Sequence, residues 1–145
     1  MRTALSIAFL LFGAIAAQAH SYRVGNLEIV HPTIMVPPVN SDCTCAHVTI
    51  TNHGPETEYF LGADVAIARN TRLLHVANRD YDISAPLSVA IAPGATLNLH
   101  RPEWCLFLSD VPKGLEADVG TYSARLMFLH AGAIEIEFLV DAPHH

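Results

Sequence analysis

Residues 121–140 read TYSARLMFLHAGAIEIEFLV, and their spacing sets the fold class. Ile134, Ile136 and Phe138 alternate with Glu135 and Glu137. A period of two is the mark of a strand with one face in a core and the other in water. The run before it, TYSARLMFLH, is separated from AIEIEFLV by a short glycine-containing turn, HAG at 130–132. Two such runs joined so tightly fold back as an antiparallel hairpin.

Working outward, the same period recurs. In HVTITN (47–52), Val48 and Ile50 oppose His47, Thr49 and Thr51. In ATLNLH (95–100), Leu97 and Leu99 oppose Thr96, Asn98 and His100. Turn residues punctuate the runs at NHGP (52–55), ARN (68–70), APG (92–94) and PKG (112–114). No segment sustains a helical period with caps. The spacing predicts seven to nine short strands in a β-sandwich or barrel. The stretch IMVPPVNSD (34–42) is excluded from a central strand, because Pro37 and Pro38 remove two donors. It reads as a loop leading to a strand that begins near Cys43.

The chain opens with MRTALSIAFLLFGAIAAQA. Arg2, an apolar run and a small-x-small site at Ala17–Ala19 make residues 1–19 a secretory signal peptide, cleaved after Ala19. Residues 20–145 then form a single exported domain, expected in the periplasm, with no membrane span once the leader is removed. A composition of 51% hydrophobic and 15% charged residues suits a packed core. Net charge is −6, and one unit more negative without Arg2. The eight Lys and Arg are scattered, so no basic patch invites nucleic acid.

Catalytic signatures are missing. There is no GxSxG elbow, no glycine-rich phosphate loop and no paired carboxylates. The expectation is therefore a non-enzyme. Metal ligation is the stronger theme, since nine histidines outnumber the basic residues and three cysteines make an odd thiol count. Thiolate with imidazole favours copper or zinc, and thiolate with thioether favours Cu(I). His53, His100, His130 and the terminal His144 and His145 read as surface polar residues. His75, inside the apolar run RLLHVA, needs a partner or a metal.

The stretch DCTCAH (42–47) places Cys43, Cys45 and His47 two apart. On an extended strand such residues lie about 6.6 Å apart on one face. Their parallel side chains strain a local disulfide, whose Cβ atoms must approach to about 3.8 Å. Two alternatives stay open: a metal shared by the thiols, or a long-range disulfide from Cys43 or Cys45 to Cys105, favoured in an oxidising compartment.

Several segments together resemble the periplasmic copper chaperones of the PCu(A)C family: VGNLEIVHP (24–32), CAHVTITNHG (45–54), LLHVA (73–77), IAPGATLNL (91–99) and EWCLFLSDVPKGLEADVGTYSARLMF (103–128). The resemblance covers nearly the whole chain after residue 19. It implies an all-β, cupredoxin-like (Ig-like) antiparallel β-sandwich. It implies copper as Cu(I), held by His and Met, and delivery to a periplasmic copper-accepting protein such as the CuA site of cytochrome oxidase. Residue by residue, His75 falls on the first ligand histidine, Ala77 on the methionine after it, and Cys105-Leu106-Phe107 on the second His-x-Met. Met35 and Met127 do not repair that loss. The expected site is thus a rebuilt one of His75, Cys105, Cys43 and Cys45, with His47 and an N-terminal His20 as further ligand positions. The competing expectation is a domain without metal, in which Cys105 is closed in a disulfide.

Overall fold

A computed structural model describes residues 21–77, 82–117 and 120–141. Residues 1–19, expected to be a signal peptide, and His20, along with His144 and His145, lie outside them. The described residues form strands and no helix. In chain order these are β1 (Ser21–Val24), β2 (Leu27–Met35), β3 (Thr44–Asn52), β4 (Glu58–Val65), β5 (Asn70–Ala77), β6 (Asp82–Ser84), β7 (Val89–Ile91), β8 (Thr96–Leu99), β9 (Trp104–Ser109), β10 (Thr121–Phe128) and β11 (Gly132–Asp141). These are eleven strands rather than seven to nine. The surplus lies in β1, β6 and β7, of three or four residues each, too short to display a period.

The hairpin at 121–140 forms as β10 and β11, with Leu126 opposite Ile134 and Ala124 opposite Ile136. Ile134, Ile136 and Phe138 are buried, as the alternation requires. Phe128 pairs with Gly132 across a three-residue loop. Gly132 holds φ at 74°, the left-handed conformation that such a loop needs and that glycine adopts without cost.

The strands run in the order β6-β5-β9-β3-β2-β11-β10-β4-β7, in one sheet curled about a single core. All neighbours are antiparallel except β2 and β11, which pair in parallel through Thr33–Leu139 and Ile34–Val140. Phe60 of β4 and Phe128 of β10 meet with ring centroids 5.6 Å apart, within the range of a favourable tilted pair.

Two irregularities position the site described below. First, β2 carries a bulge between Val30 and Thr33, where His31 takes φ 53°. Ile29 opposite Ile50 and Ile34 opposite Ala46 are all core residues, although five positions separate the two isoleucines. The extra residue therefore reverses the phase of the strand. β2 continues to Met35, so the proline loop begins at Val36. Second, β3 changes partner midway. Thr44–Ala46 pair with β9, whereas Val48–Thr51 pair with β8. His47 sits at the changeover.

Two buried polar residues tie the turns to the sheet. Asn52 donates Nδ2 to the carbonyls of Glu56 (2.7 Å) and Ile91 (2.9 Å), and its Oδ1 accepts from the Gly54 amide. Glu58 accepts from the amides of Tyr59, His130 and Ala131, each at 2.9 Å. Burial alone would raise the Glu58 carboxyl, but these three donors and the His130 charge outweigh it and hold it below its usual range.

Candidate metal centre

The pleat assigns each ligand candidate to a side of the sheet. Ala46 pairs with Leu106 in the core, so Cys45 and its register partner Phe107 point outward. Cys105, two residues from Phe107, points outward too. Cys45 and Cys105 are joined by a disulfide, with an S–S distance of 2.07 Å and Cα atoms 5.3 Å apart. The bridge runs diagonally between β3 and β9. In this state neither sulfur is a thiolate, so neither serves as the metal ligand expected from the sequence.

Cys43 is the free thiol among the described residues. It precedes β3, which begins at Thr44. Exposure alternates from half-buried Cys43 through buried Thr44 to half-buried Cys45, and Cys45 is taken by Cys105 rather than by Cys43. The Cys43 Sγ sits 3.3 Å from Asp42 Oδ1. That hydrogen bond raises the Cys43 thiol, with desolvation and the charges of Asp42 and Asp110 acting in the same direction.

His75 faces the other side. Leu74 is opposite Cys105, and His75 is opposite Trp104, which packs against the core. The His75 and Trp104 rings lie 4.3 Å apart, and His75 Nε2 is 3.4 Å from Glu103 Oε1. With partners of its own and on the opposite face, His75 does not converge with Cys105. The four-residue site of His75, Cys105, Cys43 and Cys45 is therefore not assembled here. Among the described residues no group of three or more His, Cys, Asp or Glu is arranged to hold a metal ion.

His47 shares the outer face with Cys45. Its ring stacks on His100, with centroids 4.9 Å apart and planes 28° from parallel. Burial makes His47 harder to protonate than a free imidazole, and the neighbouring His100 and Arg101 charges add to this. His100 shifts in the same direction, by burial and then by the charge of His31. His100 read as a surface residue in the sequence. Its pairing depends on a β3–β8 register that joins residues some fifty positions apart.

Met35 is a second residue that the sequence left out. Ile34 opposite Ala46 is the last core pair of β2 and β3. Half-buried Met35 follows the buried Ile34, which places it on the outer face, the side that Cys45 also takes. Thr44 fixes that end of β2 by donating its Oγ1 to the Met35 carbonyl at 2.6 Å. The signal that could have found Met35 is the HP pair at 31–32, where the bulge inverts the alternation.

No protein-family model matches the chain, and no curated protein matches it. Solved structures do. A copper-bound PCuAC domain from PmoF2 aligns with a TM-score of 0.72 at 21% identity, over 86% of this chain and 99% of that one. An apo PCuAC domain from PmoF1 aligns at 0.73 and 24% identity, over 86% and 100%. The solution structure of CuI-DR1885 from Deinococcus radiodurans aligns at 0.61 and 20% identity, over 88% and 85%. The all-β curled sheet of this chain is thus the fold of the PCuAC domains.

Proposed function

We propose that this protein is an exported, copper-chaperone-like domain that takes up Cu(I) through sulfur when its disulfide is open, and passes it to a periplasmic copper-accepting partner. One observation carries the reading: Cys45, Cys105 and Met35 share one outer face of a fold whose solved examples include a copper-bound PCuAC domain. Two thiolates and a thioether are the soft donors that Cu(I) prefers. Opening the bond takes two electrons and two protons from a dithiol reductant and yields the Cys45 and Cys105 thiols, and Cu(I) binding then releases the thiol protons. A chaperone needs no catalytic group, and none is proposed. Export rests on residues 1–19, and a disulfide between β3 and β9 suits an oxidising compartment. A CuA site of cytochrome oxidase is the receiving centre that the sequence's resemblance to the PCu(A)C family implies.

The test is a Cu(I) competition titration of the reduced and disulfide-bonded chains. The expected result is one Cu(I) bound by the reduced chain, at least tenfold more weakly after Cys45→Ser or Cys105→Ser and severalfold more weakly after Met35→Leu. Equal binding by the reduced and the disulfide-bonded chain overturns the reading. A second reading is favoured by the closed bond itself: a metal-free module in which Cys45–Cys105 clamps two strands. That reading wins if the reduced chain binds no Cu(I).

A further inference from the structure

We propose that His47 and His100 form a chelating imidazole pair for Cu(II) and, more weakly, Zn(II), on the outer face of β3 and β8 and independent of the cysteines.

The pair is built by register. Thr51 lies across from Thr96 and Thr49 from Asn98, and Val48 opposite Leu99 ends the ladder. Just past the end of that ladder the His47 and His100 rings stack, with centroids 4.9 Å apart and planes 28° from parallel, at the end of an outward row already polar at every step. Two imidazoles so placed need only side-chain rotation to aim one nitrogen each at a common ion about 2 Å from both.

The hydrogen bonds leave a bare lone pair on His100, whereas the lone pair of His47 accepts one long, weak bond. Thr49 Oγ1 is 3.1 Å from Asn98 Oδ1 and 3.1 Å from His100 Nε2. The amide oxygen only accepts, so the hydroxyl gives its hydrogen to Asn98. Its oxygen then accepts from His100 Nε2–H. This fixes the His100 tautomer with the proton on Nε2 and a bare lone pair on Nδ1. Metal-binding histidines are held in this way, one nitrogen donating to a fixed oxygen while the other faces the metal. On His47, the Arg101 amide donates to Nε2 at 3.4 Å, a long bond that a metal readily displaces. His31, at the φ 53° bulge of β2, lies close enough for its charge to act on His100. Water completes the coordination. Imidazole ligands bind Cu(II) ahead of Zn(II) in the usual divalent order. The Arg101 guanidinium is the opposing influence, since a like charge beside His47 weakens cation binding.

The experiment is a Cu(II) competition titration, with electron paramagnetic resonance, on the full chain with its disulfide intact. This separates it from the Cu(I) test on the reduced chain, so either idea can fail without the other. Cu(II) bound by the histidines at the chain ends is common to all variants and cancels in the comparison. His47→Gln and His100→Gln keep a planar side chain, and each is expected to weaken the site at least tenfold and remove the two-imidazole nitrogen pattern. The double variant is expected to be no weaker than either single. Thr49→Ala releases the His100 tautomer and is expected to weaken binding about tenfold, whereas Arg101→Gln tightens it. His53→Ala is expected to leave it unchanged. Wild-type titration by both His47→Gln and His100→Gln, with the disulfide and near-ultraviolet circular dichroism intact, overturns the proposal.

Discussion

His75 and Cys105 lie on neighbouring strands, yet they face opposite sides of the sheet. Leu74 takes the position across from Cys105, and the His75 ring packs tilted against Trp104 with centroids 4.3 Å apart. If this arrangement persists on reduction, His75→Ala changes the Cu(I) affinity of the reduced chain by less than about twofold. The same substitution removes the contact to the Trp104 ring, and with it about 1 kcal/mol of stability. Cu(I) titration and urea unfolding of one sample measure both quantities. A large loss of copper with little loss of stability would restore His75 as a ligand.

The Cys45–Cys105 bond spans 60 residues. Chain-entropy arithmetic for a loop of that size gives a stabilisation of about 4 kcal/mol. Cys45→Ser with Cys105→Ser, or reduction with copper excluded, is expected to lower Tm by roughly 10–20 °C for a domain of this length. Scanning calorimetry with and without a dithiol reductant checks it.

Glu58 sets an acid limit on the fold. Its carboxyl is held below the ordinary glutamate value of 4.5, so its contribution to stability is fully present above that value. The contribution is lost as pH falls through the lower, folded-state value. Glu58→Gln should cost about 1–3 kcal/mol near neutral pH, since the amides of Tyr59, His130 and Ala131 lose a charged acceptor and at least one of them loses its acceptor oxygen altogether. It should also flatten the acid limb of the stability profile below pH 4.5. Urea midpoints from pH 3 to 7, for the wild type and the variant, measure the difference.

Cys43 is expected to be the single thiol alkylated in the native chain, with Cys45 and Cys105 added after reduction. Its reaction should be slow at neutral pH, because the Asp42 carboxylate raises the thiol and only the thiolate attacks. Asp42→Asn should speed labelling severalfold. Mass spectrometry of timed iodoacetamide samples reports both the count and the rate. Equal rates in the two chains would remove Asp42 as the cause.

The strands with a clear period were legible in the sequence. Val48 and Ile50, Leu97 and Leu99, and Ile134 to Phe138 all point inward as their alternation implies. Met35 was not legible. Counting by twos from the buried Ile29 places Met35 inside, and only the bulge at His31–Pro32 turns it outward beside Cys45. The choice between a metal and a disulfide at Cys45 was also closed to sequence reasoning. Both need Cys105 nearby, and only the β3–β9 register brings it there. The stacking of His47 on His100 is a long-range contact as well, with nothing local to announce it. In each case the missing information is a long-range pairing or a one-residue phase change, which composition and periodicity do not carry.

The bond between Cys45 and Cys105 also closes the chain on itself. Everything from β3 to β9 lies inside a covalent ring, including the segment around Leu87, whose side chain is 91% exposed. A protease that cuts there opens the ring without releasing a fragment. The nicked chain keeps its mass on a non-reducing gel and separates into two pieces only when the disulfide is reduced.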